Sequence, residues 1–194
     1  MNDMSFTGKE LLVELIDTAC KQPDPNDTVQ ILRDGLARLI AEKSVYLPEC
    51  VFEPVDGHYA RREIYRCAET GVTVVAMTWG PDQGTPIHDH CGLWCVEGVW
   101  QGKIEITNYE LVDDSPERCR FIQHETILAD AGSSGSLIPP HEYHTIHNPN
   151  PKQAAISLHI YQGIMGDCSI YEPEADGWYA KGRKMLCLDP VDCK

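Results

Sequence analysis

The sequence lacks a long hydrophobic run, and no stretch approaches the roughly 18 apolar residues that a helix needs to cross a bilayer. Basic residues are scarce, since 16 Lys and Arg stand against 30 Asp and Glu and give a formal net charge of −14 at pH 7. Such a chain repels phosphate backbones and anionic lipid surfaces, so we expect neither nucleic acid nor a membrane as partner. Its first residues lack the basic segment that opens a secretory signal, which favours a cytoplasmic location.

CxxC pairs are also absent, although the chain contains 9 cysteines. An odd number of cysteines at scattered positions argues against a zinc ribbon and against a disulfide framework, so we expect most of them to be reduced thiols. With 194 residues, the chain can bury a substantial core without covalent cross-links.

Helical patterns are confined to the beginning of the chain. Apolar residues at helical spacing predict a first helix over residues 7–20, with Thr7 and Glu10 as a capping box at its start. A second helix is predicted after the break at Pro23 and Pro25.

From about residue 59, short segments rich in β-branched and aromatic residues alternate with clusters of Gly, Pro, Asp and Asn. The clearest of these segments are residues 72–79, 93–100, 103–111 and 154–162. Because no long helical pattern separates them, they predict an antiparallel sandwich or small barrel of roughly eight strands, such as a jelly roll.

Histidines are unevenly distributed along the chain. Two lie in one cluster, His88 and His90, and three in another, His141, His144 and His147. Two histidines at positions i and i+2 of a strand point to the same face and can bind one metal ion, with a third ligand from a distant strand. The residues themselves leave the choice within the second cluster open.

These clusters resemble the two motifs of the cupin superfamily, whose fold is a double-stranded β-barrel. His88 and His90 match the HxH of the first motif, and Pro139, His144 and Asn148 match the second motif with the right spacing. The resemblance implies His144 as the third metal ligand.

The cupin resemblance also implies a fold and a domain organisation. We expect a mainly β, jelly-roll cupin barrel preceded by α-helices, in a single domain over residues 1–194. Residues 1–45 would form the helical segment and residues 59–171 the core of the barrel. His141 and His147 would then be surface histidines or neighbours of the metal ligands.

Cys95 lies five residues after His90 and seven before Gly102, and this spacing narrows the resemblance from the cupin superfamily to one family within it. The pattern resembles the bacterial type of the cysteine dioxygenase family, in which a cysteine replaces the cupin glutamate. In some members a thioether joins this cysteine to a tyrosine, which here would be Tyr161. The resemblance implies an Fe(II) site of three histidines without a carboxylate, which would leave the full charge on the metal ion.

The segment around Tyr161 has a polar and an apolar face. Ser157, His159 and Tyr161 alternate with apolar residues, so all three lie on one face of a strand. In this family such a row lies beside the iron, which implies catalytic roles for these three residues and Cys95.

A carboxylate-binding pair is found near residue 60. Tyr59 and Arg61 resemble the Tyr-x-Arg pair that binds the substrate carboxylate in cysteine dioxygenases, and a guanidinium can hold a carboxylate through two hydrogen bonds. Arg62, which would point to the opposite strand face, and Arg66 are the alternatives.

The resemblance implies an iron-dependent thiol dioxygenase that converts L-cysteine and O₂ to cysteine sulfinate. Its expected partners are a small thiol and O₂. One alternative is a 3-mercaptopropionate dioxygenase, because some bacterial relatives prefer that thiol, and another is a metal-binding cupin without catalysis. No pattern indicates the oligomeric state, the presence of the thioether, or a role for Cys91.

Overall fold

A computed structural model describes residues 4–191. The chain begins with two helices, α1 (Lys9–Ala19) and α2 (Pro25–Glu42). The strands that follow are β1 (Ala60–Arg66), β2 (Thr73–Trp79), β3 (Ile87–His88), β4 (Cys95–Gln101), β5 (Lys103–Asp114), β6 (Arg118–Asp130), β7 (Ser134–Leu137), β8 (His144–His147), β9 (Ala155–Tyr161), β10 (Asp167–Pro173) and β11 (Tyr179–Met185). Two short 3₁₀ turns cover Glu49–Phe52 and Ala175–Gly177. Within the described range, no helix is long and apolar enough to span a bilayer.

The strands form two antiparallel sheets. One has the order β1-β2-β9-β4-β7, and in the other the order β10-β11-β6-β5-β8-β3 closes into a ring because β3 also pairs with β10. The predicted mainly β barrel after two N-terminal helices is therefore confirmed. Strand pairing in the barrel continues past residue 171, the predicted end of the barrel core, since β11 lies between β10 and β6.

The start of α1 differs from the prediction of a capping box. The residue before the helix is Gly8, in the left-handed conformation with φ 81°, and no side chain caps the helix. The backbone oxygen of Thr7 accepts a hydrogen bond from the Tyr46 amide at 2.9 Å. A Cβ atom at Gly8 would lie 2.2 Å from the backbone oxygen of Ser44, so only glycine fits this close approach.

Strand β9 lies between two hydrophobic cores. Ile156, Leu158 and Ile160 belong to the core that packs against the two helices, whereas Ala155 and Tyr161 belong to the core inside the barrel. All seven residues of the strand are buried, including the polar ones, although an alternating polar and apolar pattern is more typical of a strand with one face in solvent. The polar face of β9 thus lies in the barrel interior.

Candidate active site

Three histidines converge at one end of the barrel interior. His88 ends β3 and is paired across the sheet with His144, the first residue of β8, and their Nε2 atoms lie 3.1 Å apart. His90 follows β3, and the ligand atoms of all three side chains lie within 4.8 Å of one another. Adjacent ligands about 2.1 Å from an ion are roughly 3 Å apart, so this cluster can close on one metal ion with small adjustments.

A turn rather than a strand positions His90. Because β3 ends at His88, the two histidines do not share a strand as their spacing predicts. The backbone amide of His90 donates instead to Glu142 Oε2 at 2.8 Å, and the same oxygen lies 3.6 Å from His90 Nδ1. Glu142 is buried and holds the backbone at His90 through this hydrogen bond, a contact that sequence analysis missed.

The cluster favours neutral imidazoles. Burial lowers the pKa of His88 to about 3 and brings the pKa of His144 well below its ordinary value, with further lowering from the neighbouring histidines. A neutral imidazole is the form that ligates a metal ion, so these rings need not lose a proton near neutral pH.

A carboxyl group that the sequence did not predict also lies beside the histidines, because β4 places Glu97 inside the barrel. Glu97 lies two residues after Cys95 on the inward face, and its Oε1 is 3.6 Å from His144 Nε2 and 3.8 Å from His159 Nδ1. The atom is buried without a hydrogen bond, and burial raises the pKa of the carboxyl group to about 8. His90, Cys95 and Glu97 also form a compact group of candidate ligands.

Cys95 and Tyr161 are direct neighbours across two strands. Their Cα atoms are partners in the pairing of β4 with β9, and both side chains are buried in the barrel. Such partners have Cα atoms about 4.5–5.5 Å apart, which brings both side chains to the same place. Burial raises the pKa of the Cys95 thiol and of the Tyr161 phenol, so both groups keep their protons in the absence of a metal ion.

Ser157 and His159 form a hydrogen-bonded pair beside the cluster. Trp79 Nε1 donates to Ser157 Oγ at 2.9 Å, and Ser157 Oγ lies 2.8 Å from His159 Nε2. Because the indole can only donate, the arrangement favours a serine hydroxyl that donates to Nε2 and leaves the proton of His159 on Nδ1. No hydrogen bond links His159 to the Tyr161 hydroxyl among residues 4–191; the two rings stack with centroids 6.0 Å apart.

Arg61 is buried with part of its guanidinium unsatisfied. The residue is 4% exposed, its Nη2 donates to the backbone oxygen of Met165 at 3.5 Å, and its Nη1 has no hydrogen-bond partner in the described chain. Two hydrogen bonds to Asp189, at 2.8 and 2.7 Å, fix its backbone. A buried, unpaired guanidinium nitrogen is costly, and at Arg61 this nitrogen belongs to a side chain that lines a cavity, which makes the residue a candidate receptor for an anion.

A single cavity connects these groups. Its lining includes His88, Arg61, Tyr59, His159 and Tyr161. The ring of Tyr59 stacks on Trp79, which also lines the cavity, with centroids 4.5 Å apart. The cavity therefore brings His88 of the histidine cluster, the predicted carboxylate-binding pair and Tyr161 to one space, whereas His90, His144 and Cys95 are not part of its lining.

The alternative residues lie elsewhere. Arg62 points to the other face of β1 and donates to Thr78 Oγ1 and to the backbone oxygen of Glu53. Arg66 pairs with Glu63 at 2.5 Å.

The other histidines and Cys91 are outside the cavity as well. His141 is exposed, and His147 lies 3.9 Å from Glu105 on the outer face of β8. Cys91 is exposed and contacts Asp167. Along with Cys91, six other cysteines of the described range are free thiols.

Comparison with known proteins identifies the family of the chain. Among solved structures, the chain is similar to a protein with a double-stranded β-helix domain from Klebsiella pneumoniae, at 17% identity and a TM-score of 0.47, over 66% of this chain and 96% of that one. An RmlC-like cupin protein from Desulfovibrio desulfuricans matches at 16% identity and a TM-score of 0.40, over 58% of this chain and 90% of that one. The family model for cysteine dioxygenase type I matches residues 51–174, which include every predicted site residue. The chain therefore belongs to the cysteine dioxygenase type I family.

Proposed function

We propose that the protein is an iron-dependent thiol dioxygenase that converts L-cysteine and O₂ to cysteine sulfinate. One observation carries the proposal: the cavity that exposes His88 of the histidine cluster also exposes the guanidinium of Arg61 and the phenol of Tyr161. A small thiol that carries a carboxylate matches this combination of groups.

His88, His90 and His144 would hold the metal ion, and their donor atoms fit Fe(II). Imidazole nitrogens suit iron among the first-row metals, and a nearby carboxylate, here Glu97, accompanies histidines in many non-haem iron sites. When bound, Fe(II) supplies a centre at which a thiolate and O₂ combine, so that RS⁻ and O₂ give RSO₂⁻ with both oxygen atoms on sulfur.

Arg61 would bind the carboxylate of the substrate. Its free Nη1 and its weakly bound Nη2 can both donate to one carboxylate, which relieves the buried unpaired nitrogen. The Arg61 amide donates to Asp189 Oδ2 and the Arg61 carbonyl accepts from the Asp189 amide, which fixes the backbone at Arg61, so that little conformational freedom is lost on binding.

Tyr161 would act as a proton-holding group at the cavity wall. Because burial raises the pKa of its phenol, the hydroxyl keeps its proton and can donate a hydrogen bond to an anionic oxygen of the bound reactants. Ser157 and Trp79 fix the ring of His159, which stacks on Tyr161 and thereby limits the movement of the phenol.

A 3-mercaptopropionate dioxygenase is the second candidate, and one observation favours it. The lining of the cavity includes no Asp or Glu among the described residues, so no carboxylate there would pair with a substrate ammonium. A thiol acid without an amine would therefore lose no ion pair in this cavity relative to L-cysteine.

Oxygen uptake by the iron-loaded protein with L-cysteine, 3-mercaptopropionate and cysteamine tests the proposal. We expect uptake with the two carboxylate thiols, one sulfinate formed per O₂ consumed, and less uptake with cysteamine, which has no carboxylate. The His144→Ala variant should lose iron and activity, whereas His147→Ala, altered on the outer face of the same strand, should keep both. Iron binding without uptake for any thiol would identify a metal-binding cupin without catalysis.

A further inference from the structure

The cavity contains a second cationic side chain that the proposed reaction does not use. Three cations lie near the end of β11, and two of them are paired: Lys181 with Asp114, and Arg183 with Asp167. Lys184, in contrast, lines the cavity and takes part in no ion pair within residues 4–191. Lys184 is half-buried, so its ammonium is open to an anion that enters from solution, beside the buried guanidinium of Arg61.

The position of Lys184 is fixed by its contacts. Its Nζ lies 5.1 Å from the centroid of the Tyr59 ring, which holds the ammonium over an aromatic face. Its charge also acts on cavity residues: burial and Asp89 raise the pKa of Cys168, and the Lys184 ammonium opposes that shift. The ammonium therefore shares one cavity with Arg61, and both cations act on Cys168.

The remaining walls of the cavity cannot satisfy this charge. They are largely apolar, with Met77, Ile146, Ile170 and Leu186 among them, and the described lining holds no acidic residue. A thiol with one carboxylate neutralises Arg61 and leaves Lys184 without a partner. A thiol with two anionic groups would neutralise both cations at once.

We propose that Lys184 forms a second anion subsite, and that beyond L-cysteine the enzyme oxidises thiol carboxylates carrying a further anionic group. This inference rests on the proposed thiol dioxygenase activity and adds a substrate class to it. The reaction is unchanged: the thiolate sulfur gains both atoms of O₂, while one carboxylate binds Arg61 and the second anion binds Lys184.

The test compares 2-mercaptosuccinate with 3-mercaptopropionate as substrates of the iron-loaded protein. We expect kcat/KM for the dicarboxylate to exceed that for the monocarboxylate by about tenfold, as for one added charge-assisted contact. Lys184→Met should bring this ratio close to one. Lys181→Met, which removes a paired lysine from the same strand, should leave the ratio at its wild-type value.

A binding experiment separates this inference from the proposed function. Calorimetric titration of the protein with succinate and with butyrate measures the anion subsite without any oxidation. Tighter binding of succinate that disappears in Lys184→Met supports the subsite even if no thiol is oxidised. If succinate binds no better than butyrate, or if Lys184→Met lowers kcat/KM for both thiols equally, the subsite is refuted while thiol oxidation can still stand.

Discussion

At the scale of single residues, two adjacent arginines on β1 point to opposite faces of the strand and differ in their hydrogen bonds. Both Nη atoms of Arg62 donate, to Thr78 and to the backbone of Glu53, and only its Nε is without a partner in the described chain, whereas Arg61 presents a free Nη1 to the cavity. We expect Arg61→Ala to lower kcat/KM for L-cysteine by roughly ten- to hundredfold, the loss of about 1.5–3 kcal/mol of charge-assisted binding. Cysteamine should be affected much less, because it has no carboxylate.

The neighbouring arginine provides the control for this prediction. Arg62→Met removes buried hydrogen bonds on the other face of β1, so it should lower thermal stability and keep the preference for L-cysteine over cysteamine. Steady-state kinetics with both thiols measures the preference. An equal loss for both thiols in Arg61→Ala would remove Arg61 from the carboxylate site.

Glu142 is a second residue whose function follows from its contacts. It accepts the backbone amide of His90 and lies beside the ring nitrogen of that histidine, so it fixes the ring for metal binding. We expect Glu142→Ala to weaken metal affinity by about 10- to 100-fold, as for other partners of ligating histidines. Glu142→Gln, which keeps an acceptor oxygen, should lose much less metal affinity.

Competition of the protein with a chelator for Co(II) measures this affinity without reference to catalysis. Exposed Glu125, far along β6, offers a matched control as Glu125→Gln. Unchanged affinity in Glu142→Ala would show that the turn after β3 positions His90 without help from this carboxylate.

At the scale of elements, the pairing of β4 with β9 places a thiol directly opposite a phenol. We expect Cys95 and Tyr161 to form a thioether during turnover, with loss of two hydrogens and with O₂ as the oxidant that accepts the electrons. Peptide mass spectrometry after incubation with iron, L-cysteine and O₂ detects the joined peptides. Cys95→Ser provides the control, and separate peptides in a fully active sample would contradict this prediction.

The same two strands show what the sequence could and could not predict. The polar face of Ser157, His159 and Tyr161 follows from a two-residue period, which is visible in the sequence alone. Glu97 has the same visible period relative to Cys95, but nothing local distinguishes a buried carboxyl from an exposed one at that position. Its importance depends on contacts with strands that are distant in the chain.

Contacts that are remote in sequence also explain the remaining differences. Glu142 acts through the turn after β3, and Asp189 reaches the backbone of Arg61 from beyond β11. At the start of α1, the hydrogen bond between Thr7 and Tyr46 overrides the local capping pattern. Local patterns thus predicted the helices and the clearest strands, whereas tertiary contacts decided the ends of elements and the supporting residues.

At the scale of the whole molecule, the buried titratable groups make the stability of the metal-free protein depend on pH. Burial raises the pKa of Glu97 from its ordinary 4.5 to about 8. Its contribution to the free energy of unfolding is therefore present below pH 4.5 and is lost as pH rises towards 8. The pKa of His88 is lowered from 6.5 to about 3, so its effect has the opposite sign. Its contribution to the free energy of unfolding is lost as pH falls from 6.5 to 3.

Above pH 6.5 the effect of Glu97 dominates. We expect the free energy of unfolding to fall by about 2 kcal/mol between pH 6.5 and 8, since one pKa unit corresponds to about 1.4 kcal/mol. Urea denaturation at a series of pH values, with a chelator present, measures this slope. Glu97→Gln should flatten it and exposed Glu125→Gln should not; an unchanged slope in Glu97→Gln would assign the effect to other groups.

The central claim is that the three histidines hold an iron ion at which a thiol gains both atoms of O₂. Its most direct test is the mass of the product formed by the iron-loaded protein under isotopically labelled O₂, with the thiol that supports the fastest uptake. The account predicts a sulfinate in which both oxygen atoms on sulfur carry the label. A product with one labelled oxygen, an unlabelled sulfinate or a disulfide as the sole product would contradict it.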